Sequence, residues 1–317
     1  MKILLTERAT LVSNGDLSLE VFNRFGEVTV YDNISRSELL REATDAEIIL
    51  CNKALINREV MDVAQKLRYV GLFATGYNNV DIEYAKKRGI TVCNVAGYST
   101  NAVVQQVIGY ILMHYTKIAE YNSLVKSGGW KRSETFSMLS FPSDEVFGKT
   151  LGIIGYGSIG KAVERAATGL GMKTQIFTRT KPMDADSRFV SLEQLLKTSD
   201  IVTVHCPLNE QSADMMNEKT FSMMKRGAFF INTSRGGVVD EKALAKALES
   251  GQLSGAAIDV IKNEPMPDEC LLDSIPNLII TPHTAWAPLA TRKRLTDLVA
   301  ENLDNFLNGK AVNNLAE

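Results

Sequence analysis

Six residues, Gly155-Tyr156-Gly157-Ser158-Ile159-Gly160, constrain the fold of this chain more than any other stretch. They follow an apolar run, Leu151-Gly152-Ile153-Ile154, and lead into Lys161-Ala162-Val163, which opens a helical pattern. A lone G-x-G-x-x-G is a weak signal. Set between a buried strand and a helix it is a dinucleotide-binding fingerprint. Gly155 permits the tight turn, Gly157 lets the backbone approach a pyrophosphate, and Gly160 lets helix and strand pack closely. Ser158 and Ile159 are expected to contact the cofactor where the helix opens at Ile159, whose N-terminus faces the phosphates with free N–H groups. The alternative is an ordinary glycine turn.

The rest of the chain fits a doubly wound α/β fold. In the first hundred residues, strand-like runs at 2–6, 27–31, 47–51, 68–74 and 90–95 alternate with helical stretches at 37–43, 57–64 and 81–88. A second series follows, with strands expected at 150–154, 173–178, 201–205, 228–232, 255–259 and 278–281. Its helical links are 159–169, 192–197, 218–225 and 241–249. Such alternation predicts two parallel sheets, each covered on both faces. Between the two series, 101–117 is apolar almost all round, which predicts a helix buried at a junction or subunit interface. The stretch 289–307 reads as an amphipathic helix with Arg292, Lys293, Asp297 and Glu301 on its wet faces, packing back onto the first unit.

Composition excludes several classes. Lys and Arg number 35 against 37 Asp and Glu, so no strong basic footprint for nucleic acid exists. No apolar run approaches the roughly 18 residues of a membrane span. An acid at Glu7 comes too early for a signal peptide. Cys51, Cys93, Cys206 and Cys270 are scattered, which predicts no metal site, no disulfide framework and a cytoplasmic location.

In open α/β sheets the ligand lies at the carboxyl ends of the strands. The tails of the second series are Gly155, Thr178, His205-Cys206-Pro207, Thr233-Ser234-Arg235, Asp259 and His283. The second strand ends in Thr178-Arg179-Thr180-Lys181, where an acid would grip the adenosine ribose of NAD. A hydroxyl followed by two bases predicts NADP(H), with NAD(H) as the alternative. A solvated turn that touches nothing is the plainer reading. Only three histidines occur. His114 lies inside the apolar helix, where a structural role is expected. His205 sits at a tail with no evident charge partner. His283 is the candidate for proton transfer, with Glu264 as the carboxylate that orients it. Arg235 is placed to grip a carboxylate bidentately. Read singly, these are a capping histidine, a loop glutamate and a surface arginine; grouped at adjacent tails, they predict one site.

These segments, with Ala74-Thr75-Gly76-Tyr77-Asn78-Asn79-Val80-Asp81 and Asn94-Val95-Ala96-Gly97-Tyr98-Ser99-Thr100, resemble the D-isomer-specific 2-hydroxyacid dehydrogenase family over essentially the whole chain. Gly97-Tyr98 and His283-Thr284-Ala285-Trp286 resemble its glyoxylate/hydroxypyruvate reductase, or glycerate dehydrogenase, branch. The resemblance implies a Rossmann dinucleotide-binding domain at 99–285 inserted into a flavodoxin-like substrate domain at 1–98 and 286–317. It implies that Arg235 binds the substrate carboxylate and carbonyl, and that His283 is the acid/base paired with Glu264. It further implies that Asp259 accepts from the nicotinamide carboxamide, that Thr75, Gly76 and Tyr77 bind the substrate with Trp286 nearby, and that a homodimer forms through 101–117. Two departures stand out: many relatives carry Asp at Thr178, and many close ones carry Trp in the loop that here reads Phe136-Ser137-Met138-Leu139-Ser140-Phe141-Pro142.

The expected activity is reduction of a small 2-oxo acid to the D-2-hydroxy acid by NADPH. The alternatives are an NAD-linked enzyme of the same family, such as a phosphoglycerate dehydrogenase, and a nucleotide-sensing interaction protein like the C-terminal-binding corepressors.

Overall fold

A computed structural model describes residues 1–180, 183 and 185–316. Two compact units divide the chain, Met1–Ser99 with Ala287–Glu317, and Thr100–Trp286.

The first unit carries β1 (Lys2–Leu5), β2 (Glu27–Val30), α1 (Arg36–Ala43), β3 (Ile48–Cys51), α2 (Arg58–Val63), β4 (Tyr69–Leu72), α3 (Ile82–Lys87) and β5 (Thr91–Cys93). Its sheet is parallel in the order β2-β1-β3-β4-β5. The order reverses direction between β1 and β3, as in flavodoxin-like folds. Every residue of β3 and β4 is buried, as a sheet covered on both faces requires. Edge strand β2 is mostly exposed. The helices begin where side chains cap them: Ser35 and Glu38 form a capping box, and Asn57 and Asp81 accept from N–H groups of the first turn.

The second unit runs through α4 (Thr100–Thr116), α5 (Ile118–Lys126), β6 (Thr150–Ile154), α6 (Ser158–Gly169), β7 (Lys173–Phe177), α7 (Leu192–Thr198), β8 (Ile201–Val204), α8 (Glu218–Met223), β9 (Ala228–Asn232), α9 (Glu241–Glu249), β10 (Leu253–Ile258) and β11 (Leu278–Ile280). Its parallel sheet has the order β11-β10-β9-β8-β6-β7. The reversal falls between β6 and β8, which sets the ligand crevice beside the tail of β6. The last helix, α10 (Leu289–Leu307), returns to the first unit. There Phe306 stacks 4.8 Å from Tyr69 of β4, and Asn302 donates to the Asn94 carbonyl at 3.1 Å. No helix among the described residues is long and apolar enough to cross a membrane.

Two expectations need correction. Several strands stop one or two residues short of their apolar runs, at Val30, Leu72, Cys93 and Ile258, because the tail residues leave the ladder for the ligand edge. Arg292 is not on a wet face. It is 8% exposed, and its guanidinium donates to both oxygens of Asp16 and to the Leu11 carbonyl. Within one chain, α4 is covered on one side. Ala102, Val103, Val107, Tyr110, Ile111 and Tyr115 are buried, whereas Gln105, Gly109 and Met113 are exposed.

Candidate active site

The carboxyl edge of the second sheet is built by close backbone approaches that only glycine permits. A Cβ on Gly155, at φ +94°, would lie 2.7 Å from the His205 carbonyl, so the tails of β6 and β8 touch there. A Cβ on Gly160 would lie 2.2 Å from the Gly155 oxygen, which keeps α6 tight against β6. Gly157 is different. Its φ is an ordinary −80°, and nothing lies within 4 Å of its Cβ position. Neither strain nor packing explains it, whereas backbone access for a phosphate does. Ser158 and Ile159 open the helix beside it. Thr233, at the tail of β9, has a buried hydroxyl with no partner among the described residues. An open cradle at a helix N-terminus with an orphaned hydroxyl on the same edge fits a dinucleotide.

The turn after β7 holds Thr178, Arg179 and Thr180. Arg179 is exposed and donates to the Gln211 side chain at 3.0 Å, with no ion pair among the described residues. Lys181, also expected there, lies outside the described residues. The glycine loop is tied to the segment that follows. Glu164, 6% exposed, accepts from Tyr156 and Arg188 and from Thr174 at 3.2 Å. Residues 188–190 return along the outer side of β7, paired at Ile176 and Phe189.

At the tail of β9, Asn232 staples the next turn. Its side chain accepts from Ser234 and donates to the Arg235 carbonyl at 2.9 Å. Arg235 is extended and partly buried, with one guanidinium nitrogen on the Ser234 carbonyl at 2.7 Å. A Cβ on Gly236 would lie 1.9 Å from the Ile261 carbonyl carbon, so the Arg235 turn lies flat against the segment leading to Glu264. Glu264 accepts from the Ile261 N–H at 3.2 Å. Its other oxygen lies 2.6 Å from Nδ1 of His283. Both side chains are about one-third exposed or less, at 32% and 27%. Arg235, Glu264 and His283 thus stand on neighbouring turns of one sheet edge.

The other two histidines contact side chains of the second unit and no carboxylate among the described residues. His114 stacks on Phe229 at 4.0 Å and bonds the Ser254 hydroxyl at 3.0 Å; burial lowers its pKa to about 4. His205 bonds the Thr203 hydroxyl at 3.0 Å, and burial lowers it to about 3. Cys206 is partly buried and Pro207 exposed beside the β6 tail. Asp259 is 2% exposed and accepts from Thr281, Thr284 and Ala285. Sequence reasoning missed Asn232, Thr281 and Tyr110. Asn232 carried a signal, as an amide ending an apolar strand before a turn.

In the first unit, Thr75 follows the tail of β4, with its hydroxyl on the Val95 carbonyl at 2.7 Å. The Asn94 side chain holds the Thr75 carbonyl at 2.6 Å. Gly76 and Tyr77 follow, and Tyr77 is 45% exposed. Trp286 is partly buried at the end of the second unit. The described residues include no group of acids, thiols and imidazoles able to hold a metal ion.

Residues 108–285 match the sequence pattern of a family described as D-isomer specific 2-hydroxyacid dehydrogenase, NAD binding domain. The chain is 37% identical over 319 residues to a hydroxypyruvate reductase of Blautia hydrogenotrophica, covering 99% of each protein. A solved protein of Thermus thermophilus superposes with a TM-score of 0.89 at 33% identity, over 99% of each chain. An NADPH-dependent glyoxylate/hydroxypyruvate reductase of Sinorhizobium meliloti, solved with citrate, gives a TM-score of 0.85 at 29% identity over 99% of this chain and 97% of that one.

Proposed function

The chain belongs to the D-isomer-specific 2-hydroxyacid dehydrogenase family, and from that premise we propose that it reduces a small 2-oxo acid of the glyoxylate or hydroxypyruvate type to the D-2-hydroxy acid, with NADPH preferred over NADH. The reading rests above all on the 2.6 Å contact of His283 Nδ1 with Glu264, on a sheet edge that also carries Arg235.

When bound, the nicotinamide supplies the hydride. Arg235 grips the substrate carboxylate and polarises the 2-oxo group through its planar fork. N–H groups of the Thr75-Gly76-Tyr77 turn share the carboxylate, and Trp286 flanks the substrate. Glu264 accepts a hydrogen bond from Nδ1–H of His283 and stabilises the imidazolium, whose Nε2–H then gives its proton to the carbonyl oxygen. Gly155, Gly157, Ser158, Ile159 and Gly160 hold the pyrophosphate, while His205, Cys206, Pro207, Thr233, Ser234 and Asp259 line the cofactor. The NADPH preference is supported by Thr178 where an acid would repel a 2′-phosphate, and by an Arg179 guanidinium that no described carboxylate neutralises. A second copy is the proposed cover for the exposed side of α4 and for Phe136 and Leu139, which are 91% and 92% exposed. Four free cysteines fit a reducing compartment such as the cytoplasm.

The deciding experiment mixes the protein with NADPH or NADH and a panel of 2-oxo acids, follows the reduced nicotinamide, and assigns the configuration of the product from hydroxypyruvate, since glycolate has no stereocentre. Turnover of glyoxylate or hydroxypyruvate with higher kcat/KM for NADPH is expected. No turnover on any 2-oxo acid would overturn the activity, and an NADH preference the cofactor assignment.

A further inference from the structure

The turn that carries His283 is braced from inside the second unit. Asp259, at the end of β10, accepts the Thr284 N–H at 2.9 Å on one carboxylate oxygen and the Ala285 N–H at 2.8 Å on the other. Its backbone carbonyl accepts the His283 N–H at 2.8 Å. Thr281 adds a third donor to the carboxylate through its hydroxyl. A threonine hydroxyl has one proton to give, and here it goes to Asp259. Tyr110 of α4, whose oxygen is 2.5 Å from that of Thr281, is therefore the donor in their contact. A directed chain thus runs from Tyr110 to Thr281 to Asp259, and ends on the backbone of residues 284 and 285. His283 needs such support, because it sits at φ +54°, a left-handed conformation that side chains with a Cβ resist.

We propose that Tyr110 and Thr281 are positioning residues for proton transfer by His283, acting through Asp259. This rests on the reading of His283 as the acid. Hydrogen bonds in series polarise one another, so each donor strengthens the next. Burial pushes the Asp259 carboxyl up, while the Thr281 hydroxyl and the two backbone N–H groups hold it down. His283, whose charge also favours ionisation, and the Tyr110 phenol are the titratable groups that face it. Without the Thr281 hydroxyl, Asp259 protonates at higher pH and becomes a poorer acceptor for the turn. The imidazole then loses its aim, while the distant phosphate cradle keeps its shape.

The test compares Thr281→Val, Thr281→Ser, Tyr110→Phe and the Tyr110→Phe/Thr281→Val double variant in the full chain, with His283→Gln alongside. Thr281→Val is expected to lower kcat about tenfold, within the range that small misplacement of a catalytic group produces. NADPH affinity, read by fluorescence, should fall less than kcat, since β9 and β8 stand between the Asp259 strand and the phosphate loop after β6. The acid limb of kcat should move to higher pH. Thr281→Ser should restore both. Tyr110→Phe should lower kcat less, and the double variant should be no worse than Thr281→Val, because Tyr110 works only through Thr281. Wild-type kcat in Thr281→Val, an equal loss in Thr281→Ser, or losses that multiply in the double variant would overturn the proposal. Should Thr281→Val not fold, unchanged kcat in Tyr110→Phe overturns it equally. A fully active His283→Gln would remove the premise instead, whereas an inactive one beside a normal Thr281→Val would sink only the positioning role.

Discussion

Arg235 has five guanidinium donors, and one nitrogen is spent on the Ser234 carbonyl at 2.7 Å. The remaining donors form the edge that a carboxylate fits bidentately. Lysine keeps the charge but loses that planar edge. Arg235→Lys is expected to lower kcat/KM for 2-oxo acids by about tenfold to a hundredfold, the range of a lost charged hydrogen bond. NADPH affinity should be nearly unchanged. Near wild-type kcat/KM in this variant would show that Arg235 is not the clamp. Histidine choice also belongs to this scale. Burial lowers His114 to about 4 and His205 to about 3, so neither is the imidazolium acid at neutral pH. His283 is the histidine with a carboxylate at 2.6 Å.

Among elements, the turns carry the chemistry and the strands hold them at fixed spacing. The turn after β7 is the clearest case. Thr178 and Arg179 sit at its start, and its return leg is anchored through Arg188 on the buried Glu164. Its described start carries Arg179 and no acid, and on the proposed reading that charge selects the ribose. Replacing Thr178 with Asp and Arg179 with Gln should shift preference from NADPH toward NADH. A carboxylate then faces the 2′-phosphate, and the guanidinium that attracts it is gone. KM values for both cofactors in wild type and variant decide the matter; an unshifted ratio would mean that the turn does not touch the ribose. Strand lengths are hard to read at this scale because apolar composition does not mark where a ladder ends. Residues 73 and 74, and 94 and 95, are apolar or small enough to read as strand, yet they lie beyond the last paired residues of β4 and β5.

For the molecule as a whole, the return of α10 to the first unit closes that unit with an ion pair between the buried Arg292 and the exposed Asp16. Arg292 donates to both oxygens of Asp16, to Leu11 and to Ala287. The guanidinium holds the Asp16 carboxyl at about 2, below its ordinary 3.8. A depressed carboxylate contributes stability that is fully present above its unfolded pKa and is lost as pH falls through the folded one. The window here therefore runs from about 4 down to about 2. Asp16→Asn lacks that contribution. Its Tm should lie below wild type at neutral pH, and the gap should close as pH approaches 2. Melting curves of both proteins across that range test it; a gap that stays constant would mean the pair adds nothing through charge.

The local order of the chain determined the fold class and the phosphate loop. Strand and helix periods alternate along the sequence, and a parallel sheet is the arrangement that covers every apolar strand on both faces. Tails of consecutive strands must then gather at one edge, which is why Arg235, Glu264 and His283 were legible as neighbours without coordinates. Tertiary structure alone decided contacts between residues far apart in sequence. The 2.6 Å approach of Glu264 to His283 depends on Gly236 letting two backbones meet. Tyr110 reaches Thr281 across 171 positions because α4 packs under the sheet, and no periodicity encodes that register. Arg292 looked wet because arginine is charged, but burial follows from what packs against a side chain, and here Asp16, 276 positions away, supplies the counter-charge that makes burial tolerable.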